Sequence, residues 1–324
     1  MKRREFLKTT GAAILGLTLG IGWKEWLYAD DLFRLTLLQT NDTHSRIDPF
    51  PPDSGRNAGL GGIARRATFV KQVRQENPHT LLLDAGDVFQ GTPYFNLYRG
   101  KIEYHTMSLC GYDVVTLGNH EFDNGVASLY QAMEYAQFEL VNCNYQMDGT
   151  PLVHRVKPYV LKSLGEIRVG ITGVGVRLDD LVAPKNREGI RYLDPRPILK
   201  EIVNILRYDH RCALVVVISH LGIDGRGDHP GDRQLARDVE GIDFIVGGHS
   251  HTFMQQPEVV RSPSGHPVHI FQVGYGGIYV GRSDLFFRRD KLVGVYSSVI
   301  PMNASLVPDE SVLEHPVEFI GRVG

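Results

Sequence analysis

The stretch that decides the fold is Thr80-Leu81-Leu82-Leu83-Asp84-Ala85-Gly86-Asp87-Val88-Phe89-Gln90-Gly91-Thr92-Pro93. Three leucines in a row read as a strand buried on both faces, as in the interior of a covered sheet. The run then breaks into Asp84, Gly86 and Asp87, the small and polar residues that turn a chain at a strand end. A helical pattern precedes it, with Ile63, Ala67, Val70 and Val73 on one face, and Asn77-Pro78 stops that helix. Helix, apolar strand and polar loop together describe a sheet that delivers reactive side chains at its carboxyl edge.

The same unit recurs on either side. An apolar run at 32–39 ends in Thr40-Asn41-Asp42-Thr43-His44, and one at 114–117 ends in Gly118-Asn119-His120-Glu121. The run at 213–218 ends in Ser219-His220, and 244–246 ends in Gly247-Gly248-His249-Ser250-His251. Helices are expected at 102–109, 126–136, 195–208 and 232–239, and short strands at 139–142 and 167–172. The segments 268–273, 279–287 and 291–299 read as antiparallel strands, with a hairpin at Arg289-Asp290. With no repeat, low-complexity tract or linker, a single layered α/β domain is the simplest architecture.

Composition narrows the function. The chain has 324 residues, 42% of them hydrophobic and 22% charged, with a formal net charge of -2, which describes a foldable globular protein without a basic field for a nucleic acid polymer. Small-molecule substrates are therefore expected. Cys110, Cys143 and Cys212 lie far apart without C-x-x-C spacing, which excludes a thiolate zinc site and a disulfide scaffold. At the amino end, Lys2-Arg3-Arg4-Glu5-Phe6-Leu7-Lys8 precedes an uncharged stretch at 9–22 too short to span a bilayer. This resembles a bacterial twin-arginine export signal, which implies a leader at 1–29 cleaved after Ala29 and a periplasmic product. Membrane contact would then come only through a retained leader.

The five polar clusters are candidates to converge, because ligands of open α/β sheets bind beyond the carboxyl ends of the strands. Their carboxylates, imidazoles and one carboxamide suit Zn, Mn, Fe or a similar divalent ion, and no sulfur is present to select a thiophilic metal. Alternation along an extended segment is expected to put Asp42 and His44 on one side, and likewise His249 and His251. It turns Asp84 away, leaving that residue a structural role. His79, His105, His154, His210, His229, His266, His269 and His315 show no ligand spacing and read as surface or structural. His229 stands apart, in a turn-rich loop at 225–230, close in sequence to His220, that is a candidate to border the site.

Taken together, Asn41-Asp42-Thr43-His44, Leu83 to Pro93, Gly118-Asn119-His120-Glu121-Phe122-Asp123, Ser219-His220-Leu221-Gly222 and Gly247-Gly248-His249-Ser250-His251-Thr252 resemble the calcineurin-like metallophosphoesterases. More narrowly, residues 33–299 resemble the catalytic domain of the periplasmic 5'-nucleotidase family. The resemblance implies a four-layer α/β fold, a β-sandwich flanked by helices, with a dinuclear metal site at the strand ends. It implies one ion held by Asp42, His44, Asp87 and His251 and a second by Asp87, Asn119, His220 and His249. His120 would be the catalytic histidine and Asp123 its partner, with a metal-bridging hydroxide attacking phosphorus in line. The expected substrate is a small phosphate ester, a nucleotide above all. The alternatives are a phosphodiesterase acting on cyclic nucleotides or nucleotide sugars, a thiosulfohydrolase of sulfur oxidation, and a metal-retaining binding module without turnover. Residues 30–307 would form the catalytic domain and 308–324 a tail. The family's C-terminal substrate domain is expected to be missing, leaving the site open or covered by a partner chain.

Overall fold

The computed structural model describes residues 32–313, so the twin-arginine segment and His315 lie outside the described residues. In chain order the main elements are β1 (Phe33–Thr40), α1 (Ile63–Glu76), β2 (Thr80–Asp84), α2 (Pro93–Tyr98), α3 (Lys101–Cys110), β3 (Val114–Thr116), α4 (Val126–Ala132), β4 (Glu139–Val141), β5 (Tyr145–Gln146), β6 (Val156–Lys157), β7 (Tyr159–Leu164) and β8 (Ile167–Gly175). There follow β9 (Arg191–Tyr192), α5 (Pro195–Asn204), β10 (Leu214–His220), α6 (Asp232–Asp238), β11 (Phe244–Gly247), β12 (Glu258–Arg261), β13 (Pro267–Phe271), β14 (Tyr279–Arg288) and β15 (Lys291–Pro301).

Two sheets carry the fold. One has the order β15-β14-β1-β2-β3-β4-β6, the other β12-β13-β11-β10-β8-β7, and β5 pairs with β9 in a small ribbon. Side-chain alternation explains the layering. Leu35, Leu37, Leu81 and Leu83 of the first sheet meet Leu214, Val216, Ile218, Phe244 and Val246 of the second in one core between the sheets. Leu38, Leu82 and Val115 point the other way, onto α1, α3 and α4. Val215, Val217 and Ile245 pack against α5 and α6. The result is helix, sheet, sheet, helix, with both sheets covered on both faces, which is why their central strands lack polar alternation.

Several boundaries differ from the sequence reading. The helix expected at 126–136 ends at Ala132 and tightens into a 3-10 turn, Met133–Tyr135, and the one expected at 195–208 passes after Asn204 into a π turn, Ile205–Asp209. The expected antiparallel trio is divided. β14 and β15 pair antiparallel, whereas β13 belongs to the other sheet, parallel to β11 and antiparallel to β12. Periodicity identifies a strand without saying which neighbour it finds. Beyond β15, Glu310–Leu313 forms a 3-10 turn whose Val312 is buried in the core beneath α1 and α3. Cys110, Cys143 and Cys212 are free thiols, and no helix among the described residues is long and apolar enough to cross a membrane.

Candidate active site

Five strand ends meet at one edge of the sandwich. Neighbouring β1, β2 and β3 supply the loops carrying Asp42 and His44, Asp87, and Asn119 and His120. From the facing sheet, neighbouring β10 and β11 supply His220, and His249 and His251. His220 continues the inward register of Leu214, Val216 and Ile218, so it enters the space between the sheets. Ser219 takes the opposite side and donates its hydroxyl to Asp232 at 2.5 Å.

Alternation is not what aligns the pairs in the loops. Asp42, His44, Asp87, His249 and His251 all adopt left-handed backbone, with φ of 50°, 49°, 53°, 73° and 51°. Such conformations cost non-glycine residues of the order of 1 kcal/mol or more and persist where the surroundings over-determine them, often at functional sites. The surroundings here are explicit. The backbone N–H of Asp42 donates to the Gly86 carbonyl at 2.9 Å, and that of His44 to the Asp87 carbonyl at 3.0 Å. The N–H of His249 donates to both Asp42 carboxylate oxygens, at 3.1 and 3.0 Å.

Two glycines make the close approach work. A Cβ on Gly86, already at φ 85°, would lie 2.5 Å from the Gly118 nitrogen, and one on Gly118 would collide with the Asp87 carboxylate and sit 2.8 Å from His220 Cε1. Glu121 ties the same loops together, accepting from the N–H groups of Gly118 at 2.5 Å, Val88 at 2.7 Å and Asp87 at 3.1 Å.

The side chains fall into three donor groups, Asp42 with His44 and His251, His44 with Asp87 and His120, and Asp87 with His220 and His249. Within each, the ligand atoms lie within 4.8 Å of one another. Hydrogen bonds orient the imidazoles. His220 Nδ1–H donates to the Ala85 carbonyl at 2.6 Å, which turns its Nε2 toward Asp87 Oδ2, 3.1 Å away. The two Nε2 atoms of His44 and His251 stand 3.0 Å apart, with Asp42 Oδ1 3.3 Å from that of His251. Imidazole nitrogens this close to one another and to carboxylate oxygens require a proton or a cation between them.

The titration behaviour expresses the same demand. Burial alone would lower His220, yet the adjoining Asp87 carboxylate lifts it to about 10, and Asp87, despite burial, is held far below the usual carboxylate range by His220. Burial depresses His44 and, helped by the neighbouring charge of His220, takes His249 to about 4, so both keep free lone pairs at neutral pH. Asn119 Oδ1 and His220 Nε2 are buried without a hydrogen-bond partner, which is costly for groups aimed at nothing. A mixed oxygen and nitrogen set with two unsatisfied donors fits divalent cations.

His120 sits beside this cluster, its backbone N–H on Asp87 Oδ1 at 2.8 Å and its Nδ1–H donating to Asp123 Oδ2 at 2.7 Å. Burial pushes the ring down, but the hydrogen bond to Asp123 and the charges of Asp87 and Asp123 raise it above its ordinary value. The protonated ring is thereby favoured at a half-exposed position.

Every site residue expected from the motifs therefore lies at this edge. Asp84 is structural as expected, accepting from Thr40 Oγ1 at 2.5 Å and from the Gly86 N–H at 2.9 Å. The sequence reading missed Gln272, which donates to the Gly248 carbonyl and accepts from Ser250 Oγ and the Thr252 N–H, holding the His249–His251 turn. It also missed Tyr275, whose ring stacks on His251 at 5.3 Å. A buried glutamine closing the apolar run 267–271 was the available signal for the first.

The chain is similar to known proteins. A family model described as calcineurin-like phosphoesterase matches residues 35–253. The chain is 32% identical over 308 residues to the 5'-nucleotidase of Bos taurus, covering 86% of this chain and 51% of that protein. Among solved structures, the 5'-nucleotidase precursor of Thermus thermophilus superposes with a TM-score of 0.76 at 34% identity, covering 87% of this chain and 57% of that one. The sulfate thiohydrolase of Thermus thermophilus reaches 0.73 at 20% identity over 86% and 59%, a likeness of fold alone. The chain thus spans about half the length of the curated relatives it matches.

Proposed function

The chain belongs to the calcineurin-like phosphoesterase family, and we propose that it hydrolyses small phosphate monoesters of the 5'-nucleotide kind. One observation carries this reading: six carboxylate and imidazole ligands from two sheets converge, with the buried Asn119 Oδ1 and His220 Nε2 unpartnered, beside a histidine hydrogen-bonded to an aspartate.

In this reading Asp42, His44, Asp87 and His251 would hold one divalent ion, and Asp87, Asn119, His220 and His249 a second. Such ions, when bound, polarise a phosphoryl oxygen and lower the pKa of water. Zn, Mn or a similar ion suits the donor set. The chain's own groups do the rest. His44 and His220 are oriented through their Nδ1 atoms by the carbonyls of Phe89 and Ala85, which fixes the nitrogen each presents. His120 Nε2–H stabilises charge on the phosphoryl group and gives its proton to the leaving ester oxygen, while Asp123 keeps the ring charged and aligned. A metal binder without turnover has no use for that dyad. Export through residues 1–29, with 30–307 as the catalytic unit, belongs to the same proposal and rests on the Arg3-Arg4 motif.

The test is the purified chain reconstituted separately with Zn and Mn and assayed on AMP, a bis-ester and an aryl phosphate. Metal-dependent release of phosphate from AMP is expected. Two bound ions with every ester intact would end the hydrolase reading, and turnover of the bis-ester alone would transfer the assignment to a phosphodiesterase.

A further inference from the structure

Beside the site lies a cleft of about 260 Å³ whose charged lining includes Arg177, Arg187 and Arg191 but one carboxylate, Asp179. Tyr192 and His229 form another wall, ring edge to ring face with centroids 5.6 Å apart. The mechanism above uses none of these residues.

Its position follows from the topology. The segment carrying the three arginines leaves the sheet after Gly175, the residue paired in register with His220, and the loop carrying His229 begins just after His220 itself. Both walls therefore spring from adjacent strands at the ligand-bearing edge. A direct tie exists as well. Asn186, in the same segment, donates its side-chain N–H to the carbonyl of Asp123 at 2.6 Å, and Asp123 orients His120.

The electrostatics are incomplete without a ligand. Asp179 accepts from Arg177 Nε at 2.8 Å and forms an ion pair with Arg187 Nη1 at 3.1 Å, holding two guanidiniums in place with one negative charge between them. Arg177 also reaches His229 Nε2 at 3.2 Å. Arg191 makes no side-chain hydrogen bond or ion pair among the described residues, although it stands on β9, pinned to β5. Three like charges around one cleft repel, and a planar donor fork on a rigid element matches the oxygens of a phosphate-type anion.

We propose that this cleft is a subsite for a second anionic group, of phosphate type, on a substrate whose terminal phosphoryl group reacts at the metal site. The proposal rests on the phosphomonoesterase reading above and narrows its substrates to those carrying a second phosphate group, such as nucleoside bisphosphates, whose ester bond is cleaved, and nucleoside diphosphates, whose anhydride bond is cleaved.

The experiment compares the metal-loaded full chain with Arg191→Gln and Arg191→Lys, and with Arg187→Gln as a second position. KM is measured for p-nitrophenyl phosphate, ADP and adenosine 3',5'-bisphosphate, and binding of inorganic pyrophosphate is followed by titration calorimetry. Loss of a charge-assisted pair should raise KM for at least one doubly anionic ester about ten- to a hundredfold in Arg191→Gln. Arg191→Lys should recover part of it, and p-nitrophenyl phosphate should stay within twofold. Equal KM changes for all esters, or none, overturn the proposal. So does arginine-dependent pyrophosphate binding without a KM split, which would make the cleft a site for a free anion. If the wild type cleaves no ester while pyrophosphate binding still depends on Arg191, the hydrolase reading falls and the anion site alone survives.

Discussion

Gly118→Ala tests the construction of the site without removing any ligand. The added Cβ would collide with the Asp87 carboxylate, lie 2.6 Å from the Asp87 nitrogen and 2.8 Å from His220 Cε1. Ordinary contact begins near 3.4 Å, so the Asp87 turn and the His220 ring must retreat by about 0.6 to 0.8 Å. Neither retreats freely. The Asp87 N–H is held by Glu121, and the His220 ring by the Ala85 carbonyl and by the wall of the sandwich. Overpacking of this kind costs about 1 to 3 kcal/mol, a few degrees in Tm for a domain of this size. The catalytic cost should be larger, since a misplacement near 1 Å is worth about 10²-fold in rate. The expected result is a folded protein with a modestly lowered melting temperature, reduced metal content by atomic emission and kcat on AMP down about a hundredfold. A Gly118→Ala protein with full metal content and kcat within threefold of wild type would refute the packing argument.

Other expectations follow from the same geometry. Asp123→Asn removes the negative charge that helps raise His120, so kcat should fall about 10- to 100-fold. The alkaline limb of kcat/KM should also move to lower pH, because a ring with a reduced pKa loses its proton sooner. Asp84, pushed to about 7 by burial, binds its proton more tightly folded than unfolded. Its contribution to stability is therefore fully present below the ordinary carboxylate pKa and is lost as pH rises toward 7, with a slope of at most about 1.4 kcal/mol per pH unit. Asp84→Asn should flatten that part of a chemical-denaturation series run from pH 4 to 8, whereas an unchanged slope would place the titration elsewhere. Chelation of a metal-loaded preparation should lower Tm by about 5 to 10 °C if the ions were present at a hundred times their Kd, as measured by calorimetry.

Much of the site was readable because its chemistry is concentrated in side chains that punctuate apolar runs. Asp42, Asp87, Asn119, His220 and His249 each follow or end a strand whose burial is evident from composition, and the inward phase of Leu214, Val216 and Ile218 points to His220 without further information. What escaped was of two kinds. Backbone carbonyls at Phe89 and Ala85 orient His44 and His220, and a carbonyl has no letter in the sequence. The left-handed turns at Asp42, His44, Asp87, His249 and His251 sit among contacts between loops distant in sequence, one of them across the sandwich, so local alternation described the wrong geometry for these residues. The misplaced β13 has a related cause, since an apolar run carries no mark of the partner it pairs with.

The contact of His249 with Asp42 joins positions 207 residues apart. A chain emerging from synthesis displays Asp42 and Asp87 early, and the donors proposed to hold an ion are not all present until β11 has been made and docked. Under that proposal cation capture would report on completion, and truncation anywhere before His251 should yield a polypeptide that carries most of the motifs and none of the affinity.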